Sequence, residues 1–503
     1  MKFIYLGMCA LAIAATWKFS SEMSHALAST KDSSQEAIAR FSASEGADVT
    51  PEPPAAVKTP VPEQPVGQQS DAEATETVDE AIAEEIVDSE VTAEKPVPQI
   101  FRKPITRHEA PLHDTMITPG NFTYLGAFRP PHHQARETSF AYGGWALAYR
   151  PDGDASGTDD GYPGSLYIVG HASQQMVAEI SIPEPVNLAI RHADHLPVAK
   201  VVQDFQDVSD GILGQMTAGS SEPFMIGGMC VSNNQLHWTT YKFYNVENLD
   251  YPSHGRSGLQ LQSSIAEGLW HLGPLGSSSP EWNSYKNAGY VLEIPESERH
   301  WFGGHSLMSG LQISTGLQAS SQGPALYSYA PPEAGYLPNR SLSATPLAWY
   351  SMNDPLERHH PADRWSGAAW LTLGNKQAVI VVGRKSLGEF YYGEPRPGDC
   401  SEDKGYHGAP YEVEIAFYSP ASLIHAANGK LPAMGLRPWL RWGGTSPGGG
   451  VKQYFFDTCH QYTGGVAYDR ERNILYVAQV DAAKTSDNEW DVLPVIHAFR
   501  ISE

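Results

Sequence analysis

Short apolar stretches that open on a glycine recur along most of the chain, and second and third apolar runs follow them. The opening glycines are Gly144 in AYGGWALAY, Gly228 in MIGGMCVS, Gly310 in LMSGLQIS, Gly367 in RWSGAAWLTL and Gly465 in YTGGVAY. The later runs include SLYIVGH, ILYVAQV, MVAEISIP and PVIHAFRI. Gly, Pro, Asn and Asp bound these runs, which is typical of short β-strands joined by turns.

The repetition favours several small sheets packed around an axis. One sheet of four short strands cannot bury both faces alone, whereas radial sheets bury one another and leave only short edges. Gly-Gly and Ser-Gly suit innermost strands, where backbones approach closely. Residues 116–503 therefore resemble the β-propeller superfamily, an all-β fold, and the five openings predict five blades of about four strands. We expect FTYLGAF to pair with the C-terminal IHAFRI and close the ring, and a β-sandwich is the competing fold.

The N-terminal region has a different composition. Lys2 precedes an apolar run from Phe3 to Trp17, shorter than the roughly 20 residues of a membrane-spanning helix. Residues 1–28 are therefore predicted to be a signal peptide or an uncleaved signal anchor. Residues 29–110 are acidic, rich in Pro, Ala and Glu, and nearly free of aromatic residues, which predicts a disordered linker. The expected location is periplasmic, extracellular or anchored in the cell envelope.

Charge and cysteines narrow the possibilities. The formal net charge of −23 argues against nucleic acid as a partner, because polyanion binding needs clustered Lys and Arg. Cys400 and Cys459 fall in polar loops, and an oxidising compartment would let them form a disulfide. The alternative is two unpaired thiols. Neither a haem-attachment CxxCH nor a dinucleotide GxGxxG motif is present, so a redox cofactor is not indicated.

Strand polarity selects the positions where chemistry is expected. Neighbouring strands of a blade run antiparallel, so residues just before the first strand and just after the second emerge on one face around the axis. Taken singly, each polar residue there is typical of a solvated loop, but together they predict a shared binding pocket. The residues at these positions are Glu137, His171, Glu222, Tyr241, Lys242, His305, Arg364, Arg384, His460 and Asp481.

The leading functional hypothesis is recognition or processing of carbohydrate. Glu137 and Glu222 are the carboxylates best placed for glycoside hydrolysis across a sugar. Cleavage of a uronate by elimination would instead need a base, for which His171 or Tyr241 is suited, and cations that neutralise the substrate carboxylate. Those cations are Lys242, Arg364 and Arg384, and further substrate contacts are expected from His305, His460 and Asp481.

Two metal sites are also considered. His171, His305 and His460 from three different loops, together with Glu222, would form a mixed nitrogen and oxygen site. Separately, DGDASG resembles the start of a calcium loop, although Pro163 replaces the glutamate of its twelfth position. Such a Ca²⁺ would be structural, because the loop joins first and second strands on the face opposite the pocket, and an acidic turn without an ion is the alternative. The calcium ligands would be Asp152, Asp154, Ser156 and Asp160.

A non-catalytic role is the second functional hypothesis. A propeller on a long flexible linker has the reach of an envelope-tethered scaffold that binds other proteins. The segment from Tyr251 to Gly289 is long and irregular, which predicts a lid or a partner contact. Trp145, Trp238, Trp365 and Trp370 lie in or beside strand patterns and are expected to pack between blades.

Overall fold

The computed structural model describes residues 115–132, 139–189, 191–220, 222–245, 249–276, 281–282, 284–313, 321–400, 404–444, 450–486 and 488–503. The leader and linker predicted for residues 1–110 lie outside these ranges. Within the ranges, no helix has both the length and the apolar character needed to cross a bilayer.

Short strands and tight turns make up this body. In chain order the strands are β1 (Phe122–Phe128), β2 (Leu147–Arg150), β3 (Gly161–Val169), β4 (Val177–Pro183), β5 (Val201–Gln206), β6 (Phe224–Ser232), β7 (Gln235–Lys242), β8 (His254–Ser257), β9 (Glu267–Leu272), β10 (Val291–Glu293), β11 (Leu307–Ser309), β12 (Gln312–Ile313), β13 (Leu326–Tyr329), β14 (Ser341–Leu342), β15 (Ala344–Ala348), β16 (Arg364–Leu373), β17 (Lys376–Ser386), β18 (Tyr391–Gly393), β19 (Gly405–His407), β20 (Tyr411–Tyr418), β21 (Leu440–Trp442), β22 (Thr463–Asp469), β23 (Ile474–Thr485) and β24 (Asn488–Ile501). Short α-helices cover Gly157–Asp160, Ile212–Ala218, Ser284–Asn287 and Pro420–Ala427, and 3-10 helices cover Pro119–Asn121, Ala193–His195, Leu261–Ser263, Glu296–Phe302 and Val451–Tyr454.

Five antiparallel sheets form a ring, which confirms the predicted five-bladed propeller. Blade 1 contains β2 to β5, and blade 2 contains β6 to β9 with β14 at its outer edge. Blade 3 contains β10, β11, β13 and β15, and blade 4 contains β16, β17, β20 and β21 with β12 against β16. Blade 5 contains β22 to β24 and β1. The innermost strands β22, β2, β6, β10 and β16 contact one another in this order around the axis.

The blades bury one another, as the sheet argument requires. A buried apolar cluster lies at each of the five interfaces between neighbouring blades. Successive side chains of a strand point to opposite faces of its sheet, and strand β3 shows how this covers both faces of a blade. Leu166 and Ile168 pack with Tyr476 of blade 5, whereas Tyr167 packs with Trp238 of blade 2. Both faces of the blade are therefore covered.

The ring closes with strands from distant parts of the sequence. Strand β1 pairs antiparallel with β24, and Phe122 lies opposite Ile501. This pairing confirms the predicted closure of FTYLGAF on IHAFRI. Glycine is required where inner strands meet, because a Cβ atom at Gly465 would overlap the backbone of Ala146 and Leu147.

The third repeat begins earlier than the sequence pattern indicated. Its inner strand is β10, which follows Gly289, and Gly310 comes after the second strand β11. The assignment of Gly310 as a first-strand glycine was therefore wrong. The segment from Tyr251 to Gly289 was also misread as a lid, because it contains β8 and β9, the third and fourth strands of blade 2.

Candidate functional site

The axial channel has two mouths that are separated by side chains. We call the end where the inner strands begin the entry mouth and the end where they finish the exit mouth. Between them, Leu147, Met229, Val291, Ala368 and Val466 of the inner strands line a small cavity of about 10 Å³. The residues predicted before first strands and after second strands belong to the entry mouth.

Two arginines lie side by side at the entry mouth. Arg364 is the first residue of β16, and its cross-strand partner in β17 is Arg384. Like charges directly opposite each other are unfavourable, and neither guanidinium has an ion pair within the described ranges. Aromatic rings stabilise them instead, with Arg364 at 3.9 Å from the ring centre of Trp145 and Arg384 at 4.1 Å from both Tyr411 and Tyr462. The pair is thus a positive site that lacks a counter-charge.

Tyr241 positions one of these arginines. Its hydroxyl oxygen accepts a hydrogen bond of 2.9 Å from Nη2 of Arg364, and the residue is only 3% exposed. A side chain so enclosed supports Arg364, and the role of Tyr241 as a base stays a prediction. The neighbouring Lys242 is also buried, and its backbone N–H donates to the Tyr251 hydroxyl at 3.2 Å.

Asp481 is a buried acid whose carboxyl group interacts electrostatically with Arg364. Burial raises the pKa of its carboxyl group to about 6, and the charge of Arg364 acts in the opposite direction. Its Oδ1 is buried without a hydrogen-bond partner, and its φ of 51° lies in the left-handed region. Tyr142 also has a left-handed φ of 57°. The pKa of its hydroxyl is raised, mainly by burial and to a smaller extent by the negative charges of Asp491 and Asp481. Backbone strain of this kind clusters at functional sites.

Two histidines complete the site. The His171 ring packs edge-on against Tyr142 at 5.4 Å, and His460 stacks on Tyr462 at 5.0 Å. The carbonyl oxygen of His460 accepts a hydrogen bond of 3.3 Å from Nη1 of Arg384. We call this set the entry cluster: Tyr142, Trp145, His171, Tyr241, Arg364, Arg384, His460, Tyr462 and Asp481.

A disulfide supports the loop that carries His460. Cys400 and Cys459 are bonded, with their Cα atoms 5.2 Å apart, which confirms the predicted pair. Cys400 lies between strands β18 and β19, which form a separate two-stranded ribbon. The bond therefore ties that ribbon to the residue directly before His460.

Some predicted residues do not join the entry cluster. Glu137 lies outside the described residues. The Glu222 carboxylate has no hydrogen bond or ion pair to any residue that the structure describes. His305 precedes the second strand of blade 3, so it lies at the opposite end of its blade, where Nδ1 is 3.0 Å from the Ser328 hydroxyl and burial lowers the pKa of the imidazole. Its predicted place at the entry mouth was wrong, because it followed from the misassigned repeat.

The predicted metal sites have no assembled ligand set. Among the residues described, no group of three or more His, Cys, Asp or Glu side chains is arranged to hold a metal ion. In the DGDASG loop, Oδ1 of Asp154 accepts hydrogen bonds from the backbone N–H and the hydroxyl of Ser156, at 2.9 and 2.8 Å. Asp152 follows the inner strand β2, on the exit side as predicted, and the Asp160 side chain lies outside the part of the chain that the structure describes. Calcium binding stays a prediction.

Aromatic side chains are the part of the site that sequence reasoning missed. Trp238, Trp365 and Trp370 are each 1% exposed and pack between blades as predicted. Trp145 differs, because it is only partly buried and lies against Arg364 and Tyr462. The available signal was its position directly after Gly-Gly, at the start of an inner strand.

Comparisons with known proteins add little to this geometry. No family model matches the chain, and no curated relative matches it. A luciferin-regenerating enzyme of known structure aligns over 68% of this chain and 75% of its own, with 10% identity and a TM-score of 0.27. A putative hydrolase from Bacteroides ovatus aligns over 72% and 86%, with 8% identity and a TM-score of 0.29. Likenesses this weak carry no argument about activity, so function is argued from the entry cluster.

Proposed function

We propose that this protein is exported and binds an acidic saccharide, a sugar that carries a carboxylate, at the entry cluster. The observation that carries the proposal is the cross-strand pair of Arg364 and Arg384, which has no carboxylate partner in the described chain. A guanidinium presents a planar fork of donors that matches a carboxylate. A uronate carboxylate would therefore supply the missing counter-charge.

The neighbouring side chains favour a sugar over other anions. Trp145 and Tyr462 are partly buried rings beside the arginines, and aromatic rings offer an apolar face together with a polar edge. A sugar ring has the same division between C–H faces and hydroxyl edges. Oδ1 of Asp481 has no hydrogen-bond partner, so it is suited to accept a hydrogen bond from a sugar hydroxyl.

Export is supported by two independent features. The disulfide between Cys400 and Cys459 is typical of proteins that fold in an oxidising compartment. The sequence from Lys2 to Trp17 has the pattern of a secretory leader. Acidic polysaccharides are also found outside the cytoplasm, so the proposed ligand and the proposed location agree.

A second candidate function is cleavage of that saccharide by β-elimination, and Asp481 is the observation that favours it. In this reaction the C5–H bond of the uronate breaks and its proton passes to Asp481. The electron pair forms the C4=C5 double bond, the C4–O bond breaks, and the leaving oxygen takes a proton from water. Arg364 and Arg384 would stabilise the charge that develops on the uronate carboxylate. A carboxyl with a pKa of about 6 is ionised at neutral pH and a better base than an exposed aspartate.

Titration calorimetry tests the binding proposal. Oligogalacturonate and oligoglucuronate are each compared with their methyl esters, which keep the sugar and lose the charge. We expect at least one acid to bind about tenfold or more tightly than its ester, and Arg364→Gln to weaken it by about 10- to 100-fold. Arg500→Gln, at an exposed position of β24, is the control for net charge.

Two outcomes would overturn the proposal. One is equal binding of every acid and its ester, and the other is binding that survives Arg364→Gln unchanged. The second result would support the scaffold role, in which the arginines are not needed. For elimination, the ultraviolet absorbance of the unsaturated product is followed with wild type and Asp481→Asn, and absorbance that does not depend on Asp481 would reject that residue as the base.

A further inference from the structure

The exit mouth of the channel opens into a cavity of about 280 Å³. All five inner strands contribute to its lining. Apolar side chains, among them Met229, Val231, Val291, Ala368 and Val466, line it together with the charged residues Glu293, Asp469, Arg470 and Glu471. The cavity lies toward the ends of the inner strands that are opposite the entry cluster. A concave apolar space near this size, with few polar groups, is the usual form of a small-molecule site.

One guanidinium at this cavity lacks a counter-charge. Arg470 follows β22 and lines the cavity, and its Nη1 donates to the Trp370 carbonyl oxygen at 3.3 Å and to the Thr372 hydroxyl at 3.4 Å. Both acceptors are neutral, and within the described ranges Arg470 forms no ion pair. Burial lowers the pKa of its guanidinium, and Glu293 acts in the opposite direction at longer range. A desolvated charge of this kind is unfavourable until an anion approaches it.

The acids around the cavity already have partners. Glu293 accepts hydrogen bonds of 2.9 Å from both Arg299 and the Ser232 hydroxyl. Asp469 pairs with Arg472 at 3.2 Å and accepts from backbone N–H groups of the turn. Glu471 is largely exposed and lies 3.8 Å from Arg472. Within the described residues, Arg470 is the charged side chain of the cavity lining that forms no ion pair.

We infer that this cavity is a second ligand site, for a small monocarboxylate with an apolar body. The carboxylate would bind the Arg470 fork, and the body would lie against the apolar ends of the inner strands. The charge of Arg470 and the size of the cavity point to this class, because a neutral ligand would leave the guanidinium without an ion pair. The site is independent of the acidic saccharide proposed for the entry cluster.

Benzoate, benzamide and benzylamine test the inference as an anionic, a neutral and a cationic probe of nearly one shape. Binding of each to the whole protein is measured by titration calorimetry. We expect benzoate to bind about tenfold more tightly than benzamide, and benzylamine to bind most weakly. Arg470→Gln should remove the preference for benzoate, whereas Arg470→Lys should keep part of it. Arg500→Gln serves as the matched change in net charge.

A further measurement locates the bound probe. The double variant Arg364→Gln/Arg384→Gln removes the cations of the entry cluster and should leave benzoate affinity unchanged.

Each contrary result has a clear meaning. Equal affinity for benzoate and benzamide in wild type would overturn the inference without the use of any variant. A preference for benzoate that survives Arg470→Gln, or that disappears in the entry-cluster double variant, would also overturn it. Failure of uronate binding at the entry mouth would leave these results unaffected, so the two proposals fail separately.

Discussion

The two mouths of the axial channel are built from opposite ends of the same five strands, yet their cations are held in different ways. At the entry mouth, Arg364 and Arg384 lie against aromatic rings and beside a buried acid. At the exit mouth, Arg470 is held by a carbonyl and a hydroxyl oxygen over apolar walls. The difference follows the connections between strands. The entry side receives longer loops and the disulfide, whereas a tight hairpin turn supplies Arg470.

The same five inner strands thus present two chemically different environments at their two ends. Long loops bring rings, acids and histidines from several blades to the entry mouth, so a large polar ligand suits it. The exit cavity is limited by strand ends, so a small and mainly apolar ligand suits it. Changes at one mouth are therefore expected to leave the other unaffected.

The largest effect is expected from the disulfide. Replacing Cys400 and Cys459 together by serine opens a loop with a sequence separation of 59 residues and should lower the free energy of unfolding by about 4 kcal/mol. Oligouronate affinity should fall, because Cys459 directly precedes His460, while benzoate affinity at the exit cavity should not change. Urea unfolding and calorimetry measure the two effects. Equal loss of both ligands would show that the mouths are not independent.

Adjacent residues of β17 provide the next test. Lys385 is buried, and its Nζ lies 2.9 Å from both carboxylate oxygens of Asp363. Lys385→Met therefore leaves a buried acid without its cation and should lower the free energy of unfolding by about 3 kcal/mol. Arg384→Met removes a cation without an acid partner, so we expect a change in stability below about 1 kcal/mol but loss of uronate binding. Chemical unfolding measures the stability of both variants, and calorimetry measures their uronate affinity. Similar losses of stability in the two variants would contradict the distinction between paired and unpaired cations.

A smaller, pH-dependent effect is expected at Asp481. Its folded-state pKa of about 6 lies above the ordinary value of 3.8, so its contribution to stability is full at low pH and is lost as pH rises through about 6. Asp481→Asn should therefore stabilise the protein by about 2 kcal/mol near pH 8 and have little effect near pH 4. Asparagine tolerates the left-handed backbone as well as aspartate does. Denaturant titrations at both pH values measure this, and an effect that does not vary with pH would contradict the buried-acid assignment.

The smallest effect is expected from the hydroxyl of Tyr241. Tyr241→Phe removes the acceptor for Arg364 and should cost about 1 kcal/mol or less of stability, together with a severalfold loss of uronate affinity. Tyr392→Phe is the control, because Tyr392 is exposed on β18 outside the entry cluster and its hydroxyl makes no hydrogen bond to the described residues. If both variants behave alike, Tyr241 does not position Arg364.

The number and arrangement of blades were predictable because four openings repeat a glycine followed by apolar residues. Blade 3 was misread because its inner strand β10 has only three residues. Strand β8 was missed for another reason. Its sequence HGRS is buried at every position, including His254 and Arg256, so no apolar pattern marks it. A strand whose polar side chains are buried and hydrogen-bonded in the folded protein has no hydrophobic periodicity, so the sequence pattern does not predict it.

Only the part of the candidate site that follows from strand polarity was predictable from the sequence. Topology alone placed Arg364, Arg384 and Asp481 at one mouth, since residues at equivalent strand ends share a face. Burial of Tyr241 depends on packing against blade 3, which strand order does not reveal. Arg470 lies in the charged sequence DRERN, typical of a solvated turn, and only the fold places it over the exit cavity.

The pairing of β1 with β24 has a consequence for how the protein is made. One strand of the fifth blade comes from the beginning of the described chain, and its partner ends at Ile501. The circle therefore cannot close until Ile501 has been synthesised. Contacts of such high sequence separation form slowly, so the ring of the nascent chain is expected to stay open until that strand emerges.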